Sequence, residues 1–231
     1  MLRYLTSGES HGQSLISIID GLPSNVELNF DEINAELKKR QCGYGRGGRM
    51  KIESDKVNIL GGVRGKKTLG GPVSIEVKNR DYQNWTEYMA PMDDVDFETR
   101  KVDNVRPGHA DLVGCLKYDF TDARNVLERS SARETASRVA VGAICKQVLK
   151  NFDIDFVSHV IQIGNVKDEN VYDFDYIKNN VDSSEVRCAN KDMEAKMISQ
   201  IDEIKNERDT IGGVVEVRVK TVSYTHLTLP T

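Results

Sequence analysis

Between residues 50 and 78 apolar and polar positions alternate, and the run is broken twice by paired glycines, Gly61-Gly62 and Gly70-Gly71. Alternation is the period of a half-buried strand, and glycine pairs mark the turns between strands. This stretch therefore reads as short antiparallel strands. Leu15–Ile19 is a further strand, ended by the turn Asp20-Gly21-Leu22-Pro23. Phe156–Ile163 and Val214–Lys220 complete the set. Helical spacing is confined to three places. Phe30, Ile33 and Leu37 predict a short helix over Asp31–Arg40, and Met193, Met197, Ile201 and Ile204 predict an amphipathic one. Ser131 and Glu134 stand at capping-box spacing before an alanine-rich run, which predicts a helix through about Leu149. Residues 79–104 are polar and acidic, hold the single Trp (Trp85), and read as a long mobile loop. Strands and helices do not alternate regularly, so the expected class is α+β with antiparallel sheets.

Charge is unevenly spread. The 231 residues carry a net charge of -4, yet residues 38–67 hold ten Lys/Arg against two acids. Residues 151–209 hold fourteen acids against seven bases. A basic segment inside an acidic chain points to a focused anion site and away from general nucleic-acid binding. No run approaches the ~20 apolar residues that cross a bilayer, and the first ten residues have no signal-type apolar core. Cys42, Cys115, Cys145 and Cys188 stand far apart with no CxxC pair. That argues against a zinc site or disulfide framework and for a reducing, cytoplasmic setting.

Four clusters could carry chemistry. Gly8-Glu9-Ser10-His11-Gly12 sets an acid, a hydroxyl and an imidazole between glycines, which allow close backbone approach to a ligand. Arg106-Pro107-Gly108-His109-Ala110-Asp111 is a second turn histidine beside Arg and acid. Together the two suggest a general acid/base pair. Arg40, Arg46 and Arg49 surround the glycine-rich loop 43–49 and suit carboxylate or phosphate. The same GYGRGGR loop leaves an anion- or RNA-binding module as the alternative. Arg129, Ser130 and Ser131, with Arg133 close by, stand at the expected helix start, another anion-binding setting. A Ser-His hydrolase using Ser10 or Ser130 finds no GxSxG, and Ser10 and His11 are adjacent in sequence. His159 lies in an alternating strand and reads as structural.

GESHGQSLISIIDGLP (8–23), RQCGYGRGGRMKIESDKV (40–57), RPGHADL (106–112), ERSSARETASRVAVGAI (128–144) and DTIGGVVEV (209–217) together resemble the chorismate synthase family, from about residue 1 to 220. The resemblance implies a β-α-β sandwich with antiparallel sheets around helices, assembled as a homotetramer. It implies a lyase that removes phosphate from 5-enolpyruvylshikimate 3-phosphate by anti elimination, with reduced FMN and no net redox change. NADPH could reduce the flavin. Carried over by motif, His11 protonates the departing phosphate, Ser10 belongs to a proton relay, and His109 acts near the flavin. Arg40 and Arg46 match positions associated with NADP. Arg129, Ser130 and Ser131 match an FMN-binding triplet, and Arg49 and Arg133 hold substrate. Family members are longer. Residues 1–222 are therefore expected to be a partial domain, inactive alone, and 223–231 a foreign tail whose His226 has no role.

Overall fold

The computed structural model describes residues 1–45 and 52–221. Arg46, Arg49 and the expected tail lie outside the described residues. Of these residues, 1–40 and 52–144 form one compact unit, and 41–45 and 145–221 a second.

The first unit is built on a four-stranded antiparallel sheet. β1 (Arg3–Ser7) and β2 (Ser14–Asp20) form a hairpin, followed by α1 (Phe30–Gln41). β3 (Val57–Gly61), the two-residue ribbon β4 (Val63–Arg64) and β5 (Lys67–Thr68), and β6 (Val73–Lys78) follow, giving the sheet order β1-β2-β6-β3. Register puts Leu15, Ser17 and Ile19 beside Val77, Ile75 and Val73 on one face, and all six are buried. Ile33 and Leu37 of α1 are completely buried as well. Burial of such side chains stabilises by about 1.5–3 kcal/mol each. Asn29 starts α1 by accepting from the Asp31 and Glu32 N–H groups. Asp31 and Glu32 lie in its first turn and Lys38, Lys39 and Arg40 in its last, in the sense the helix dipole favours.

The 79–104 segment is more ordered than a loop. It holds a 3₁₀ turn over Arg80–Asn84 and α2 (Thr86–Met89), with Trp85 buried between them and its indole N–H donated to Asp81. Next come α3 (Asp111–Tyr118), α4 (Arg124–Ser130) and α5 (Thr135–Lys150). The helix expected from Ser131 thus begins later. Ser131 caps a 3₁₀ turn over Ala132–Glu134, accepting from the Arg133 N–H. The Glu134 carboxylate does not complete a capping box; it receives Thr6 Oγ1 and Arg138 instead. Ala136, Ala140, Ala143 and Ile144 form the buried face of α5.

α3 and α4 pack closely at Gly114. A Cβ there would lie 2.3 Å from Val126 Cγ1 and 2.7 Å from Cγ2. Gly114→Ala is therefore expected to cost about 1–3 kcal/mol, seen as a lower urea midpoint, with partial recovery in Gly114→Ala/Val126→Ala. An unchanged midpoint would show that the two helices have room to spare.

The second unit carries β7 (Asp155–Ile163), β8 (Val166–Lys167), α6 (Phe174–Asn180), α7 (Lys191–Glu207) and β9 (Gly213–Lys220), with sheet order β8-β7-β9, all antiparallel. Met197 of α7 is fully buried with Val186 and Cys188, and Tyr44 and Ile201 pack against them. His159 is buried, opposite Glu216 in the register and hydrogen-bonded to it at 2.7 Å. Val215, Val217 and Val219 of the edge strand are exposed. Both units mix helices with antiparallel sheet, as expected for the α+β class. No helix among the described residues is long and apolar enough to cross a membrane.

Candidate active site

The β1–β2 connection is the GESHG loop. Gly8 adopts φ +99°, and a Cβ there would sit 2.3 Å from the Ser14 carbonyl, so only glycine makes this turn without strain. Two side chains then hold the loop. Asn79, just past β6, donates its amide hydrogens to the carbonyls of Glu9 (3.1 Å) and Gly12 (2.7 Å). Glu128 of α4 takes the other side. Its carbonyl accepts the Ser10 N–H at 2.8 Å, and its Oε2 accepts the His11 N–H at 2.8 Å.

The same carboxylate clamps the imidazole. Both Glu128 oxygens lie 2.9 Å from His11 Nδ1. The ring also stacks on Trp85, with centroids 3.9 Å apart at 28°. Arg100 lies 4.4 Å and Arg124 5.3 Å from the centroid of that indole. Arg124 also reaches Glu128 Oε1 at 3.3 Å. Burial alone would raise the Glu128 carboxyl. The His11 ring, the His11 backbone N–H and Arg124 outweigh it and hold the group below the usual carboxylate range.

His109 is held in the same manner by Asp111, the fully buried first residue of α3. Its Nδ1 lies 2.7 Å from Asp111 Oδ1. Arg106 forks the same carboxylate, Nε at 2.8 Å and Nη2 at 3.0 Å, and its backbone N–H adds a third bond. The Arg106 guanidinium, against the opposing effect of burial, keeps Asp111 far below the usual carboxylate range. Each turn histidine thus rests by Nδ1 on a buried acid, and the two acids belong to the helices that meet at Gly114.

A buried polar chain supports the loop from beneath. Ser10 is 1% exposed and donates to Ser131 Oγ at 3.0 Å, joining residues expected to act in separate motifs. Arg133 is 3% exposed. It donates to Asp55 at 2.6 Å, to Asn79 Oδ1 at 2.7 Å and to the Lys78 carbonyl, with Glu53 at 3.7 Å. By fixing Asn79 Oδ1, Arg133 turns the amide hydrogens toward the loop. This inward engagement differs from the substrate contact expected of Arg133. Arg40 is also turned inward, to Asp55, the Thr135 hydroxyl and the Ala132 carbonyl. Arg129 stays at the surface, bonded to the Thr6 carbonyl and hydroxyl. Arg129 and Ser130 close α4, and Ser131 caps the 3₁₀ turn that leads into α5, accepting the Arg133 N–H.

Glu128, Asn79 and Asp55 carry no local sign of a role, and Glu128 is 117 residues from His11. Trp85, the lone tryptophan of the acidic segment, and Asp111, the acid of the second histidine turn, stand out in the sequence, but their pairing with His11 and His109 is seen only in the fold.

A family model described as chorismate synthase matches residues 2–225. Chorismate synthase of Alkaliphilus metalliredigens (strain QYMF) is 54% identical over 220 residues, which is 95% of this chain and 57% of the relative. Chorismate synthase of Staphylococcus aureus (strain Newman) is 50% identical over 234 residues, 97% of this chain and 60% of the relative. A crystal structure of chorismate synthase, 38% identical, superposes with a TM-score of 0.72 over 94% of this chain and 58% of that one. The chain thus spans less than two thirds of the length of these relatives.

Proposed function

Because this chain belongs to the chorismate synthase family, we propose that its first unit carries the acid side of a phosphate elimination, 5-enolpyruvylshikimate 3-phosphate giving chorismate. Across the ring's existing C=C, a C–H bond at one allylic carbon and the C–O bond to phosphate at the other break on opposite faces. The existing double bond shifts and a second forms beside it, giving the conjugated diene with release of a proton and inorganic phosphate. The single observation that carries this reading is the clamp on His11. With Nδ1 committed to Glu128, Nε2 is the nitrogen that carries the transferable proton. Phosphate departs more readily when its bridging oxygen is protonated as the C–O bond breaks, which is general acid catalysis. Ser10 and Ser131 form a hydroxyl pair beside this acid. Arg100 and Arg124 add positive charge around Trp85, which suits a substrate carrying two carboxylates and a phosphate.

Reduced FMN belongs to the same reading, and the residues at 129–131 fit part of it. Arg129 offers a surface guanidinium. Ser130 donates its own hydrogen to the Val126 carbonyl, so its oxygen is an acceptor suited to a flavin hydroxyl rather than a phosphate. Ser131 accepts from Ser10 and Arg133 N–H, which points its hydrogen elsewhere. When bound, the reduced flavin supplies an electron-rich ring and emerges unchanged. His109, held on Asp111, is assigned to that ring's side. The described residues do not fit a nicotinamide dinucleotide at Arg40, whose guanidinium is engaged internally. Arg133 is assigned to holding the loop, and homotetrameric, cytoplasmic assembly follows the family resemblance.

The test is an anaerobic assay of the full-length gene product with reduced FMN and the substrate. Equal amounts of chorismate and inorganic phosphate are expected. Folded, flavin-loaded protein that forms neither would overturn the reading.

A further inference from the structure

We propose that Glu128 is the positioning residue that makes His11 an acid: it fixes the imidazole by Nδ1 and supplies the negative charge that lets the ring carry its second proton at Nε2. The inference rests on the elimination reading above and adds a residue to it.

The groups facing His11 show why a carboxylate is needed there. Trp85 lies flat against the imidazole. Arg100 and Arg124 both lie over the Trp85 ring, and Tyr88 meets it edge-on at 6.2 Å. Arg100 and Arg124 are permanent cations, and like charge opposes protonation of a neighbouring imidazole. An indole face attracts a cation, but at about 0.5–2 kcal/mol it is shared here among three. Glu128 is the anion among these groups that touches the imidazole itself. Its side chain is 1% exposed, so its charge acts with little screening by water.

Geometry also selects the tautomer. An ionised carboxylate has no hydrogen to give, so Nδ1 must be the donor. The neutral ring then holds its hydrogen on Nδ1, and Nε2 is the atom that gains and loses the proton. Four contacts from one residue, through its carbonyl and both carboxylate oxygens, make backbone and ring move as one body.

Glu128→Gln separates charge from shape. Glutamine can still accept one hydrogen bond through its oxygen but brings no negative charge. In the full-length gene product, we expect kcat to fall on the order of 10²-fold and KM to change by less than a few fold. Glu128→Asp should recover part of the loss. Parent-like kcat in Glu128→Gln would overturn the proposal. A readout on this chain alone needs neither turnover nor a variant. In ¹⁵N-histidine spectra followed through the titration of His11, Nδ1 should remain protonated on both sides and Nε2 should titrate. A neutral ring protonated at Nε2 would sink the idea. Failure of the full-length product to make chorismate would remove the elimination reading but leave the tautomer result standing, so the two failures are distinguishable.

Discussion

His11→Ala in the full-length gene product is expected to lower kcat by about 10²–10⁴-fold, the usual worth of a positioned general acid. Substrate affinity should hold within a few fold, since the guanidinium groups around Trp85 remain in place. The substitution has a second consequence. Glu128 would lose the partner that does most to offset its burial. A carboxyl held low in the folded state contributes stability above its unfolded value, and that contribution fades as pH falls through the folded value. In His11→Ala the folded value rises toward the unfolded one, so the stability linked to Glu128 shrinks at neutral pH and its acid loss sets in at higher pH. His11→Asn separates the two effects, because its amide can still donate to Glu128 but has no proton to transfer. We expect Asn to match Ala in rate and exceed it in stability. Turnover within a few fold of the parent in both variants would remove His11 from the chemistry.

Asp55→Ala is expected to destabilise the first unit by about 3–5 kcal/mol, the cost of stranding a buried charge. Asp55 Oδ1 takes Arg133 at 2.6 Å and Oδ2 takes Arg40 at 3.3 Å, and the Asp55 and Arg133 side chains are at most 2% exposed. Without the carboxylate, the Arg133 and Arg40 guanidiniums lose the anion they share, and Glu53 at 3.7 Å is the acid left beside Arg133 among the described residues. That loss is a large part of the total stability of an ordinary domain. The effect should travel to the loop. Arg133 orients Asn79, and Asn79 holds the Glu9 and Gly12 carbonyls. Urea unfolding measures the energy, and amide exchange at Ser10 and His11 measures the loosening. A loss under about 1 kcal/mol would show that Arg133 finds other partners and that this strut is not what carries the loop.

Local pattern made most of the regular structure legible. The period-two runs became β2, β6, β7 and β9, and the apolar spacings became α1 and α7. β1 escaped because its apolar positions do not alternate cleanly; Leu5 is 75% exposed and the Arg3–Ser7 strand is held as the hairpin partner of β2. α3 and α4 escaped because they are eight and seven residues long, too short for a period to assert itself. Their existence depends on the packing at Gly114 and Val126.

By itself, the sequence determined the secondary elements with strong periods, the two histidines in glycine turns and the motifs that carry the family resemblance. These are properties of neighbouring residues, and neighbours are what a linear pattern records. Only the tertiary structure decided what each charged side chain does. Arg129 and Arg133 lie four residues apart in one motif, yet one is at the surface and the other is buried on Asp55. His11 and Glu128 meet across 117 positions. Charge pairing acts through space and depends on burial, and neither is fixed until the sheet and helices have closed around the loop.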